Sequence, residues 1–382
     1  MSRVLIHVQH LLGIGHLRRA AALARGLVAA GVDVVVASGG VPVPKLDLGG
    51  ARLVQLPSAR SADETFKILL DEDDKPIDDA WRAHRREALL DLFEKERPDA
   101  LVIEMFPFGR RALRFELIPL LERARASTPR PKVFGSVRDI LIHRPRPDRE
   151  AEFLKTVREG FDTILVHGDP RLVPLEATFP LAREISAHLA YTGYLVETSA
   201  TRRSDDGPGK DEVIVSVGGG AVGEELLRIA LAARGLTTLK SHTWRLLLGA
   251  NLPPSLMGDL KAAAPANVIV EPARPDFVAM LARCRLSISQ AGYNTLMELM
   301  AVGSRGVVVP FARGAETEQT TRAELLAARG LVDTVAEAGL TPERLAEAVN
   351  RAAAREKPEA GAIDLNGLAK SVKIITAAIR PR

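Results

Sequence analysis

Short apolar runs alternate with helical patterns along most of the chain. Val4–Val8, Val32–Ala37, Arg52–Leu56, Ala100–Ile103, Lys132–Val137 and Thr163–Val166 are runs of four to six mostly aliphatic residues, and they read as buried strands. Between them the period changes to that of helices, as in LRRAAALARGLVAAG, which closes at Gly31, and in the stretch Asp79–Lys95. The polar segment 194–210, YLVETSATRRSDDGPGK, interrupts the series with charge and a Gly-Pro-Gly punctuation, the composition of a linker. A second series follows, with strands expected at Val213–Val217, Trp244–Leu248, Val268–Val270, Leu286–Ser289 and Val307–Val309. Leu368–Ile379 is apolar-periodic and reads as a terminal helix.

This pattern predicts an α/β chain with two Rossmann-like, doubly wound domains facing each other across a cleft. The boundaries expected are 1–195 for the first domain, 196–210 for the linker and 211–360 for the second domain. The segment 361–382 is expected to pack its helix back on the first domain. At 382 residues and 46% hydrophobic content, each half is long enough to bury its own core.

Composition removes several function classes. Aromatic residues are 4% of the chain, and Lys and Arg alternate with Asp and Glu nearly everywhere, so neither base stacking nor a basic track favours nucleic acid. The net charge of +4 suits an acidic small molecule or peripheral contact with an anionic membrane surface. The strongest asymmetry lies in 109–150, with eleven Lys/Arg against five Asp/Glu; it fits either a salt-bridged surface or a patch for anionic substrates or headgroups. The single cysteine, Cys284, excludes an internal disulfide and is expected to be a buried small residue. MSRVLIHVQH is a strand rather than a signal peptide, and no apolar run is long enough to span a bilayer, which gives a cytoplasmic address by default. Asp71, Glu72, Asp73 and Asp74 have a spacing that could hold a divalent cation, but no strand delivers them to a rim, and a solvated loop is expected there.

Chemistry concentrates where strands end. Gly218, Gly219 and Gly220 follow a strand and precede a helix, the arrangement in which main-chain N–H groups and a helix amino end hold an anion. In SQAGYNTLMELM, Gly292 allows a turn before a helix bearing Asn294, Thr295 and Glu298; Glu298 sits among apolar residues and reads either as an exposed helix Glu or as a carboxylate that a ribose diol would satisfy. Glu318 and Gln319 open the next helix; one could cap it, and two adjacent polar side chains suit sugar hydroxyls. Near the start, Gly13, Gly15 and His16 precede a helix. The glycines clear space, and His16 reads either as a cap or packing group or as a base that the positive helix end keeps neutral and able to take a proton. If the strand order is 3-2-1-4-5, the strand ending at Glu104 lies beside the first, so Glu104 could orient His16 or contact an acceptor. Arg138 and Asp139 stand one strand further out, suited to an anionic acceptor group. His7 and His167 are expected to be structural.

With these residues in view, the chain resembles the MurG-like glycosyltransferases of GT-B architecture, and in particular a bacterial branch of predicted glycosyltransferases. The resemblance is strongest in SQAGYNTLMELMAVGSRGVVVPF and EQTTRAELLAARGLVD, and good in GIGHLRRAAALA and EMFPFGRRALRFEL. It implies an acceptor domain followed by a donor domain, with Gly218–Gly220 on the diphosphate, Glu298 on the ribose, and Gln319 with Glu318 on the donor sugar. Arg274 would lie in the loop whose backbone reads a uracil edge, and His16 takes the position of the general base. The activity implied is inverting, metal-independent transfer of a sugar from a nucleoside-diphosphate sugar, UDP-linked, to a hydroxyl, with no cofactor beyond the nucleotide-sugar co-substrate. The acceptor would be anionic or lipid-linked. Two departures stand out: MurG carries a Gln pair where this chain has Glu318-Gln319, and LLGIGH lacks a richer glycine run, so the donor sugar and acceptor of MurG do not carry over. The start Gly13, Gly15, His16 and Arg19 also resembles nucleotide-sugar hydrolases on the same scaffold; a non-catalytic nucleotide-sugar binding protein is the third reading.

Overall fold

The computed structural model describes residues 1–11, 13–63, 68–141, 146–196, 206–217, 223–249, 252–312 and 317–379. Two compact units divide the chain, one formed by Met1–Leu195 with Asn366–Arg382 and the other by Val196–Leu365.

Unit 1 contains β1 (Arg3–Val8), α1 (Gly15–Ala29), β2 (Asp33–Ser38), β3 (Arg52–Gln55) and a small antiparallel hairpin of β4 (Arg60–Ser61) and β5 (Leu69–Leu70). There follow α2 (Asp79–Glu96), β6 (Ala100–Glu104), α3 (Arg114–Ala126), β7 (Lys132–Arg138), α4 (Pro147–Gly160), β8 (Thr163–His167) and β9 (Leu189–Tyr191). Its main sheet is parallel, in the order β3-β2-β1-β6-β7-β8-β9. Both faces are buried over β1, β2, β6, β7 and β8, which is why those strands read as continuous apolar runs, while β3 at the edge is largely exposed. Leu5, Leu101, Ile103, Val133, Val137, Ile164 and Val166 enter the core on one face. The intervening Val4, Ile6, Val8, Ala100, Val102, Phe134 and Leu165 enter the core on the other face, against Leu17, Ala20, Ala24 and Leu27 of α1.

That two-residue period decides where the strand ends aim. Three strands run one residue beyond their apolar cores and finish on Glu104, Arg138 and His167. Continuing the alternation from Val102, Phe134 and Leu165, the side chains of Glu104, Ser136, Arg138 and His167 all project on the face covered by α1. Register sets Glu104 opposite Ser136 and Arg138 opposite His167.

Unit 2 repeats the plan with β10 (Val213–Ser216), α5 (Glu224–Ala233), β11 (Trp244–Leu248), α6 (Pro254–Ala263), β12 (Val268–Pro272), α7 (Phe277–Arg283) and β13 (Leu286–Gln290). It continues through α8 (Tyr293–Val302), β14 (Gly306–Val309), α9 (Glu318–Ala328), β15 (Asp333–Thr334) and α10 (Pro342–Ala354). The parallel order is β12-β11-β10-β13-β14-β15. Gly223, at the entry to α5, has φ +126°, and a Cβ there would stand 2.4 Å from the Cβ of Val217, so only glycine fits.

The last helix, α11 (Gly367–Ala378), belongs to unit 1. It crosses α1 at Gly26, where an added Cβ would be 2.8 Å from Leu368 Cδ1, and Ile375 and Ile379 join the core beneath α1. Most of the segment expected as a linker, 197–205, lies outside the described residues.

Candidate active site

His16 occupies the second position of α1, whose N-cap, Ile14, contributes no side-chain hydrogen bond. Its Nδ1 is 2.9 Å from Glu104 Oε1, and its Nε2 is 3.0 Å from Arg138 Nη2. A guanidinium has no lone pair to offer, so Arg138 donates and Nε2 accepts. The ring proton then sits on Nδ1 and donates to Glu104. This is the neutral tautomer a general base requires, with Nε2 as its basic atom.

Glu104 is buried and fully engaged. Arg19 donates to Oε1 through Nε at 3.0 Å and also through Nη2, and the Ser136 hydroxyl donates to Oε2. Burial alone would raise this carboxyl, but the Arg19 guanidinium and the His16 N–H outweigh it and hold the group well below the ordinary carboxylate range. Behind Ser136 the network continues: His167 Nε2 lies 2.9 Å from Ser136 Oγ, and His167 Nδ1 lies 2.9 Å from Thr192 Oγ1. His167 is therefore tied to the site through Ser136, a link that its expected structural role did not include.

The cause of His16's neutrality also differs from the one expected. Burial is the largest contribution, opposed by the hydrogen bond to Glu104, and Arg138, Arg19 and Arg110 add repulsion; together they lower the imidazole to about 3. His167, buried beside Arg19, is likewise lowered to about 3. The consequence for stability has a definite sign. Between an unfolded pKa of about 6.5 and a folded value near 3, the unfolded chain binds protons that the folded chain refuses. Stability is thus full above pH ~6.5 and falls as pH drops toward 3. Urea denaturation from pH 7 to 4 is expected to show this loss, and His167→Gln is expected to flatten it; a wild-type curve that stays level over that range contradicts the buried, neutral imidazoles.

The other acceptor-side expectations resolve as follows. A Cβ at Gly13 or Gly15 would meet nothing within 4 Å, so the space beside His16 is open. Arg19, expected on the acceptor, has its guanidinium on Glu104; its Nη2 also stands 3.0 Å from His16 Nδ1, where two N–H groups meet, so its hold on the ring runs through the carboxylate they share. Asp139 is wholly buried and accepts from the Tyr194 hydroxyl at 2.8 Å, and its geometry is that of a brace inside the unit. Asp71 to Asp74 form a turn that follows β5 and is closed by the Leu70–Pro76 bridge: Asp71 Oδ1 accepts from the main chain of Asp73 and Lys75, and Asp74 pairs with Arg60.

In unit 2, Gly218, Gly219 and Gly220 lie outside the described residues, between β10 and α5. Asn294, Thr295 and Glu298 are half-buried on α8, and their i, i+3 and i, i+4 spacing puts them on one face, opposite the buried Leu296, Met297, Leu299 and Met300. Gly292 precedes them with φ −61°, so the turn itself does not demand glycine; an added Cβ would meet open space. Arg274 is held by Asp276 through two hydrogen bonds of 2.8 and 3.0 Å, in the loop after β12.

Neither Glu318 nor Gln319 caps α9, whose N-cap is Thr317. Glu318 accepts from Arg322 at 2.8 Å, and that buried guanidinium lies 5.1 Å from the centroid of the Tyr293 ring. Gln319 Oε1 accepts from the main chain of Phe311 at 3.2 Å, tying α9 to the end of β14. A cavity of about 570 Å³ opens between the start of α5 and the ends of β13 and β14, lined among others by Gly223, Glu224, Arg228, Gln290, Phe311 and Glu337. Gln290 and Glu337 carry no pattern in the sequence that singles them out, and Glu298 and Arg274 stand outside that lining.

Cys284 is buried against Ser304, with its thiol pushed up to about 11 by burial. Among the described residues, no helix is long and apolar enough to cross a membrane.

Residues 214–374 match the glycosyltransferase family 28 C-terminal domain. The UDP-N-acetylglucosamine--N-acetylmuramyl-(pentapeptide) pyrophosphoryl-undecaprenol N-acetylglucosamine transferase of Syntrophotalea carbinolica is 33% identical over 123 residues, 32% of this chain and 33% of that protein. The enzyme of the same name from Brucella canis is 34% identical over 92 residues, 24% of each chain. The matched stretch thus spans a third or less of these relatives. Over its whole length the chain follows the fold of solved glycosyltransferases. The glycotransferase of kitacinnamycin superposes with a TM-score of 0.67 at 18% identity over 99% of both chains. MurG of Acinetobacter baumannii gives 0.60 at 17% identity over 99% of this chain and 100% of that one. VinC, solved in complex with dTDP, gives 0.59 at 17% identity over 99% and 96%. The chain therefore has the two-domain GT-B fold, and its residues 214–374 match the glycosyltransferase family 28 C-terminal domain and resemble the N-acetylglucosamine transferases above.

Proposed function

We propose that the protein transfers a sugar from a nucleoside-diphosphate donor to an acceptor hydroxyl, with inversion at the anomeric carbon. The observation that carries this reading is the Arg19–Glu104–His16 arrangement at the carboxyl end of a Rossmann-like sheet: a neutral imidazole, oriented through Nδ1, presents Nε2 as a base. In the reaction, Nε2 takes the proton of the acceptor hydroxyl as its oxygen attacks the anomeric carbon. The bond from that carbon to the diphosphate breaks, and the nucleoside diphosphate leaves with the electron pair. One displacement inverts the centre.

Unit 2 takes the donor in this reading. Its match to the family 28 C-terminal domain supports that assignment, as do relatives named for a UDP-sugar and a neighbour solved with dTDP. Glu298 would hold the ribose diol, Asn294 and Thr295 on the same helix face would contact the nucleotide, and the loop of Arg274 would face the base. Gln319 and Glu318 would approach the sugar, and Gly218–Gly220 with the amino end of α5 would carry the diphosphate charge in place of a metal. Gly13, Gly15 and Arg138 would form the acceptor side in unit 1. Peripheral contact with an anionic membrane surface would bring a lipid-linked acceptor within reach.

The binding half is tested by calorimetry with UDP and dTDP in EDTA. Tight binding of at least one nucleotide without added metal is expected, and failure of both to bind removes the donor assignment. Glu298→Ala should weaken the nucleotide by about 1.5 to 3 kcal/mol, roughly a 10- to 150-fold rise in Kd, since it deletes a charged hydrogen-bond acceptor; unchanged affinity takes Glu298 out of the site.

A further inference from the structure

Arg322 is wholly buried one turn into α9, and it meets the amino ends of two helices. Its Nη2 donates to Glu318 Oε1 at 2.8 Å, within α9. Its guanidinium lies 5.1 Å from the ring centroid of Tyr293, the first residue of α8. α8 joins β13 to β14 and α9 joins β14 to β15, so both crossovers step the same way along the sheet and cover the same face. Both helices follow the carboxyl ends of strands, the rim where an open parallel sheet takes its ligand. The guanidinium therefore ties the start of the helix bearing Asn294, Thr295 and Glu298 to the start of the helix opened by Glu318 and Gln319.

Stability does not account for this tie. Taking a guanidinium and a carboxylate out of water costs about as much as their attraction returns, and apolar side chains of similar volume fill such a place as well or better. The other buried residues of α9, Ala323 and Leu326, are apolar, and an exposed i, i+4 pair would serve the helix equally. The effect of the buried pair is geometric. A planar guanidinium held over a ring aims its N–H fork in one direction, so the Glu318 carboxylate is fixed in place before any ligand arrives. Glu318 reaches solvent with 12% of its side chain exposed and Arg322 with none, so a ligand at the rim can meet the carboxylate but not the guanidinium. Gln319 beside it is fixed as well: its Oε1 accepts from the main chain of Phe311, which leaves its NH2 to donate.

We infer that Arg322 is a positioning residue for the sugar of the donor: held over Tyr293, it fixes the Glu318 carboxylate and thereby sets which sugars the site accepts, without touching the ligand itself. That Glu318 meets a sugar rests on the donor reading above; the Tyr293–Arg322–Glu318 tie does not. In that reading the nucleotide is held by Glu298, Asn294 and Thr295, so the effect of Arg322 is confined to the sugar. A carboxylate fixed beforehand discriminates between sugars that differ at one hydroxyl, because a misplaced hydroxyl leaves it unpaired, whereas a carboxylate free to swing follows either sugar.

The test is titration calorimetry of the full chain with UDP and dTDP, and with UDP-glucose, UDP-galactose, UDP-N-acetylglucosamine and dTDP-glucose, alongside urea curves. In wild type the best and worst sugars on UDP are expected to differ at least about tenfold in affinity. In Arg322→Met that spread should collapse to within about threefold while free UDP and dTDP stay within about twofold of wild type. Arg322→Lys keeps the charge without the planar stack and should fall between. The double variant Arg322→Met with Glu318→Leu removes both charges together, so its urea midpoint should match wild type while its sugar preference stays lost, which separates positioning from loss of the fold. A spread retained in Arg322→Met or in the double variant overturns the inference, as does a wild type that binds all these sugars alike. A double variant much less stable than wild type, or free nucleotide weakening in step with the sugar preference, would make Arg322 a support of the fold and overturns it too. The two readings fail differently. If wild type binds neither nucleotide nor any nucleotide-sugar, the donor reading falls and takes this inference with it; if the nucleotides bind and the variants keep the wild-type spread, the donor reading stands and only the role of Arg322 is removed.

Discussion

Replacing His16 by alanine is expected to lower sugar transfer by about 10²- to 10⁴-fold, the usual range for loss of a positioned general base, while nucleotide affinity stays within about twofold. The split follows from where the residues stand. His16 belongs to unit 1, and the residues assigned to the nucleotide belong to unit 2, so the substitution removes chemistry without touching the donor. A 10³-fold loss corresponds to about 4 kcal/mol of transition-state stabilisation. That is a reasonable share for a base that the protein maintains neutral and already oriented by Glu104. The comparison is made by steady-state release of nucleoside diphosphate alongside calorimetry. Turnover that survives intact would show that the proton leaves by another route, and a parallel collapse of affinity would mean that His16 is a binding group.

The second large effect is expected at Glu104. Glu104→Gln conserves shape and removes the charge that Arg19 neutralises inside the unit. Whichever way the amide turns, its NH2 faces either the Ser136 hydroxyl or the donors of Arg19 and His16. A buried guanidinium left without its carboxylate costs about 3 to 5 kcal/mol, so the variant should unfold at markedly lower denaturant. Transfer should also fall, because the carboxylate that accepts the Nδ1 proton and fixes the ring's orientation is gone. Glu104→Asp keeps the charge and should recover more stability than activity, since a shorter side chain cannot reach His16 Nδ1 and Ser136 together. Equal stability of wild type and Glu104→Gln, read from urea curves, would mean that Arg19 does not depend on this carboxylate.

Much of this is legible in the chain because parallel sheets buried on both faces leave continuous apolar runs. That signal locates the strands carrying the site, each one residue short of its end. The residues it leaves out are Glu104, Arg138 and His167, polar positions that a hydrophobic pattern excludes by construction. Their convergence is not legible. Ser136 meets Glu104 through cross-strand register between segments 32 residues apart, and no local pattern encodes that pairing. Arg110, whose charge acts on His16, is invisible for another reason: it lies in a loop with a left-handed backbone, φ 59°, that no hydrophobic pattern marks. On the donor side, Glu318 and Gln319 stand out as a polar pair at a helix start. Their partners, Arg322 one turn on and the main chain of Phe311, become evident only in the folded chain.

Transfer itself is probed most closely by the release of nucleoside diphosphate from UDP- and dTDP-sugars in EDTA, with and without an extract of small-molecule and lipid-linked acceptors, followed by mass spectrometry of the products. Release that requires the extract is expected, with a product heavier by one sugar residue, and with loss of both in His16→Ala. Multiple rapid turnovers with no acceptor present, yielding free sugar, would contradict transfer and assign the protein to hydrolysis.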